Sequence, residues 1–148
     1  MISIITTSLG ERPEFLLKAG KSLENQTYKD IEWIIVIPII PASIVKLLED
    51  NFKNIKYKLI ASPDKPSVSQ CRNIGVLKSS GDYIAFLDDD NYKHENFCER
   101  MLAHLKLNDA IFCCSNVHTP STVVYEQAWN CANFYFTDEL LCKRDFFI

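Results

Sequence analysis

Apolar positions along this chain alternate between two rhythms. Ile2–Thr6 is a short β-rich run, and after Pro13, a favourable first helical residue, Leu16, Ala19, Gly20 and Leu23 recur at helical spacing. Ile31–Ile37 is almost wholly apolar and β-branched, which predicts a strand buried on both faces. A second helix is expected over Pro41–Phe52 with Ile44, Leu47 and Leu48 inward. Ile55–Ala61 alternates Ile, Tyr and Leu with Lys, as a strand near an edge would. Pro66 opens a third helix through Ser67–Ser79, its face to the sheet formed by Val68, Cys71, Gly75 and Val76, and Gly81 stands where a left-handed cap is expected. The unbroken apolar run Tyr83–Leu87, within Asp82–Leu87, predicts a central parallel strand. Glu95–Lys106 reads as a helix and Ala110–Ser115 as a strand. Beyond Asn116 the pattern weakens to extended stretches at Val123–Tyr125 and Phe134–Thr137.

Strands alternating with helices imply an α/β domain whose mostly parallel sheet is joined by right-handed crossovers, with helices on both faces. No repeat or linker divides the 148 residues, so a single domain over 1–148 is expected. A 47% hydrophobic and 24% charged composition is that of a folded globular chain. A net charge of −3 argues against a protein built to neutralise nucleic acid. Six cysteines show no C-x-x-C pair and read as reduced, small apolar residues. Met1–Thr6 lacks the basic lead of a secretory signal, and the apolar stretch Trp33–Val45 is too short for a transmembrane segment, so a soluble, cytoplasmic protein is expected.

Ligands of open parallel sheets bind beyond the carboxyl ends of the strands. That rule singles out Thr6–Arg12, Pro38–Ile40, Ser62–Lys65 and Asp88–Tyr92. Asp88, Asp89 and Asp90 leave the predicted central strand together. At about 4 Å and an effective dielectric near 20, each close pair of carboxylates costs about 4 kcal/mol. A divalent cation would remove that cost, and all-oxygen ligands select Mg²⁺ or Mn²⁺ over zinc. The same acids also suit a solvated turn capping the helix near Glu95.

A metal held by one or two Asp usually completes its shell with substrate phosphates, which directs attention to nearby cations: Arg12, Lys65 and Arg72. Arg72 is suited to a phosphate, to the Asp cluster, or to a structural ion pair. Thr6, Thr7 and Ser8 offer hydroxyls to a ribose or base, or simply end the first strand.

The segments Ile2–Thr7, Arg12–Leu16 and Ser22–Asp30 resemble the opening of GT-A glycosyltransferases of the large family 2 type. Ser69-Gln-Cys-Arg-Asn-Ile-Gly75 is similar to that family's s-x-A-R-N-x-G segment, and Ser80–Asp90 to its strand leading into the D-x-D motif. The likeness covers roughly residues 2–92 in order and spacing, far more than a lone D-x-D. It implies a GT-A fold whose donor half spans about 1–92, with an acceptor-side remainder over 93–148. The implied activity is metal-dependent transfer of a sugar from a UDP- or GDP-linked donor to a glycan or glycoprotein acceptor. By the same resemblance Thr6, Thr7 and Arg72 border the nucleotide, Asp88 faces the ribose or metal, Asp90 ligates Mn²⁺ or Mg²⁺, and Asp89 serves either role.

Two departures stand out. Ile37-Pro-Ile-Ile40 replaces the acidic pair that usually meets the nucleobase, leaving Asp64 as the compensating candidate. The family's motif bearing the catalytic base is also missing. An inverting transfer needs such a base, since the acceptor hydroxyl must lose its proton. The remaining carboxylates are Glu126, Asp138, Glu139 and Asp145, of which Asp138 is preferred because it follows an expected strand. His118 is an additional candidate metal ligand. A catalytically incomplete nucleotide-sugar-binding module needing a partner chain or a missing C-terminal segment is the competing reading, and the apolar end Phe146-Phe-Ile148 suggests a homodimer. An unrelated phosphohydrolase is weaker, since the first strand ends without an Asp nucleophile.

Overall fold

A computed structural model describes residues 1–62, 66–114 and 140–147. Its elements are β1 (Ile2–Thr7), α1 (Pro13–Glu24), β2 (Ile31–Ile37), α2 (Ala42–Asn51), β3 (Lys56–Ala61), α3 (Val68–Lys78), β4 (Tyr83–Phe86), α4 (Phe97–Leu107), β5 (Phe112–Cys114) and β6 (Leu140–Lys143). A short 3-10 turn over Arg144–Phe146 follows. The six strands lie in the order β3-β2-β1-β4-β6-β5. From β3 to β4 every pairing is parallel, whereas β6 runs antiparallel to both β4 and β5. The sheet is thus α/β and mostly parallel, with β3 at an edge as its alternating Lys residues imply.

All seven residues of β2 are buried, as expected for a strand covered on both faces. Successive side chains divide between two cores. Ile4, Trp33 and Ile35 pack with α1, α2 and α4, while Ile5, Ile34 and Ile84 pack with Cys71 and Val76 of α3. Gly75 lets α3 lie close to β1, because a Cβ there would collide with Ile5.

Three expectations need correction. Val68, expected to face the sheet, is 55% exposed because it is the first residue of α3, beyond the edge of the core. Leu47 is only half-buried; Ile44 and Leu48 carry the inward face of α2. Gly81 is no left-handed cap, since α3 ends at Ser79 in extended geometry and Gly10 is the glycine with positive φ among the described residues. Gly81 is required by proximity instead: a Cβ would lie 2.6 Å from Ser3 Oγ and 2.8 Å from Ser3 N.

That close approach belongs to a buried polar cluster where the strands begin. Ser3 Oγ donates to Glu32 at 2.6 Å, the Gly81 N–H donates to Ser3 Oγ at 2.8 Å, and Lys58 Nζ pairs with Glu32 at 3.0 Å. Burial pushes the Glu32 carboxyl up, but the hydrogen bonds from Ser3, Ser80 and Lys58 outweigh it and hold the group below its ordinary value. The five described cysteines are free thiols in the interior. Burial raises Cys98 and Cys113 to about 12, so neither is a nucleophile at neutral pH. Phe146 and Phe147 stay partly exposed, although their rings meet Phe112 and Phe86 at 6.1 and 5.8 Å. No helix among the described residues is long and apolar enough to cross a membrane.

Candidate functional site

A cleft of about 280 Å³ opens at the carboxyl ends of β1, β2 and β4. The loop after β1 forms one wall through Thr7, Ser8 and Arg12, and the acids after β4 form the floor. Pro38, Pro66 and Val68 supply an apolar side, which explains the exposure of Val68. Parallel strands alone bring these segments together, since residues 7 and 88 are far apart in sequence but follow paired neighbours in the sheet.

The three acids diverge. Asp88 Oδ1 accepts from Arg72 Nη2 at 2.7 Å, and that guanidinium lies 5.6 Å over the ring of Phe86. Asp89 is nearly buried, accepting from Ser8 Oγ at 2.6 Å and from Arg12 Nη2 at 2.9 Å. Asp90 is about half exposed (48%) and meets Arg12 Nη1 only at 3.4 Å. None of them caps α4, whose N-cap is Asn96. The expected repulsion is therefore met by two arginines, Arg12 from the loop after β1 and Arg72 from α3, each forming charge-assisted bonds.

Arg12 is held in place by the loop that carries it. Gly10 takes a left-handed turn (φ 76°), and its N–H donates to Ser8 Oγ at 3.0 Å. The Ser8 hydroxyl is thus committed to Gly10 and Asp89, and it shapes the loop instead of waiting for a ribose. Phe15 lies beneath the Arg12 guanidinium at 5.1 Å. Thr6 leaves the set of cleft residues: it is fully buried, and its hydroxyl accepts from Trp33 Nε1 at 2.9 Å. Thr7 lines the cleft as expected.

Asp64, Lys65, His118 and Asp138 lie outside the described residues, as do Glu126 and Glu139. Asp145 follows β6 where that strand pairs with the start of β4, Lys143 opposite Tyr83, so the antiparallel turn of β6 removes it from the acids at the other end. Leu9, Glu11 and Val68 were not foreseen as cleft residues. The spacing of Thr6–Arg12 marked the loop but gave no signal for which of its side chains turn inward.

Residues 3–146 match the profile of glycosyl transferase family 2. The chain belongs to that family. An uncharacterized glycosyltransferase of Rickettsia bellii is 31% identical over 101 residues, 68% of this chain but 14% of that protein. Among solved structures, S. aureus TarS 1–349 in complex with UDP aligns over 97% of this chain and 46% of its own, with a TM-score of 0.76 at 13% identity. A mannosyltransferase of Pyrobaculum calidifontis in complex with GDP-Man and Mn²⁺ covers 78% of this chain and 35% of its own, with a TM-score of 0.68 at 12% identity. Those two likenesses establish the GT-A type of fold. This family 2 chain spans less than half the length of each of the three.

Proposed function

We propose that the cleft binds a nucleoside-diphosphate sugar and that this family 2 chain forms the donor-binding part of a glycosyltransferase. The observation that carries the reading is the arrangement of Asp88–Asp90 at the end of β4, in a cleft with one apolar side that Arg12 also lines, while Arg72 pairs with Asp88 from α3 behind it. Apolar walls suit a base and ribose, and the guanidiniums suit phosphate oxygens. Thr7 and Asp88 then border the nucleoside, and Arg12 lies toward the diphosphate. UDP in TarS and GDP-Man in the Pyrobaculum enzyme support the ligand class without choosing the base.

A divalent cation fits this donor set. The carboxylates are hard oxygen ligands, and Asp90 is half exposed with one long contact. Among the described residues no three His, Cys, Asp or Glu side chains converge on one point, so those residues supply only part of a shell. Asp90, with Asp88 beside it, would hold Mn²⁺ or Mg²⁺, the remainder of the shell coming from phosphate oxygens and water. Such a cation offsets charge growing on a departing diphosphate. For inverting transfer to a glycan or protein acceptor a base is still required, and Asp138 remains the proposed residue.

Thermal shift with UDP and GDP, each with and without Mn²⁺, followed by assay of diphosphate release from the matching sugar nucleotide, tests this reading. A ligand at about 100 times its Kd stabilises by about 2.7 kcal/mol, an easily resolved shift. Metal-dependent stabilisation by one nucleotide is expected. If neither nucleotide shifts the transition, the donor site is refuted; stabilisation without diphosphate release would reduce the chain to a binding module.

A further inference from the structure

We propose that Arg12 is a displaceable counter-ion: its guanidinium holds Asp89 and Asp90 until a divalent cation takes Asp90, and it then turns one edge to the donor diphosphate. The inference rests on the donor-site reading and specifies how that site loads. The fork is unequal. Nη2 is fixed at 2.9 Å to the nearly buried Asp89, while Nη1 reaches the half-exposed Asp90 at 3.4 Å. Asp89 is further anchored by Ser8 at 2.6 Å, so it stays in place whatever happens at Asp90. Stacking on Phe15 restrains the guanidinium plane at the α1 N-terminus, allowing a small rotation that breaks the weaker contact and keeps the stronger.

Two consequences of opposite sign follow. A cation arriving alone must compete with Arg12 for Asp90. A cation arriving with a diphosphate turns that competitor into a ligand, because the released Nη1 gains a charged oxygen to donate to. Metal and nucleotide therefore bind synergistically, and linkage requires that each raise the other's affinity by the same factor.

The test uses the full chain, with Mn²⁺ alone followed by electron paramagnetic resonance and UDP followed by calorimetry at saturating Mn²⁺. Arg12→Ala should bind Mn²⁺ alone about threefold more tightly, in keeping with the strength of a half-exposed ion pair. The same variant should bind UDP in the presence of Mn²⁺ about tenfold more weakly, through the lost charge-assisted bond. Arg12→Lys, which cannot fork across two acids, should also bind Mn²⁺ alone more tightly than the parent, and it serves if the alanine variant folds poorly. Unchanged or weaker Mn²⁺ binding in both variants overturns the proposal. A parent protein that binds no UDP with Mn²⁺ present would instead overturn the donor-site reading beneath it.

Discussion

Arg72 donates to Asp88 at 2.7 Å while lying over the ring of Phe86, the last residue of the strand from which that acid emerges. One side chain thus ties the helix behind the cleft to the acids on its floor. Planar stacking and a directed N–H bond together require a guanidinium, which an ammonium cannot replace. Arg72→Lys should weaken UDP binding by about tenfold while leaving the melting transition almost unchanged, as measured by calorimetry and circular dichroism. Parent-like UDP affinity in the lysine variant would show that Arg72 is only a surface ion-pair partner.

Asp90 contributes little to the fold, being half exposed with a single long contact. Asp90→Ala should therefore change stability by less than about 0.5 kcal/mol. The metal-dependent part of the UDP-induced thermal shift should disappear with it. Retention of the full Mn²⁺ response would place the cation elsewhere.

Most of the frame that builds this cleft is legible in the chain. Ile31–Ile37 announces a doubly covered strand because nothing polar but Glu32 interrupts it, and Leu16, Ala19 and Leu23 mark the buried face of α1 at helical spacing. The three acids are equally visible, since they follow an apolar strand directly, although sequence alone leaves a helix-capping turn open beside a ligand site. What pattern cannot show is pairing across distance. Leu140–Lys143 is too short to display a period, and its antiparallel place between β4 and β5 depends on tertiary contacts alone. Thr6 and Ser8 look alike in sequence, yet Trp33 claims one hydroxyl and Asp89 the other. Carboxylate repulsion suggests a cation, and the structure answers it first with Arg12 and Arg72, 77 and 16 residues away from the nearest acid each one meets, a distance composition cannot resolve.

Gly75 sits where α3 rests on β1, with Ile5 filling the space a Cβ would need. In an open helix, Gly→Ala would stabilise by about 1 kcal/mol. Here overpacking should reverse the sign, and Gly75→Ala should cost about 2 kcal/mol in urea unfolding. The cost should shrink in an Ile5→Ala background, where the obstructing methyl groups are gone. Equal costs in both backgrounds would rule out the collision as the cause.

Glu32 lies fully buried beneath the opposite end of the sheet, accepting from Ser3 and paired with Lys58. Burial raises its carboxyl pKa, but the hydrogen bonds and the ammonium bring it below the ordinary value. A folded-state pKa below the unfolded one means that the unfolded chain takes up the proton first as pH falls. The stabilisation from Glu32 is accordingly complete above the unfolded carboxyl's pKa, near pH 4.5, and is lost as pH falls through and below that value. Glu32→Gln keeps the shape but removes the charge, and with its Oε1 still accepting from Ser3 and Ser80 it sets the amide N–H₂ against the Lys58 ammonium. The variant should be less stable than the parent by about 2 kcal/mol at pH 7, with the gap narrowing towards pH 3 in urea titrations. A gap of constant size across that range would mean that packing, and not ionisation, is what Glu32 provides.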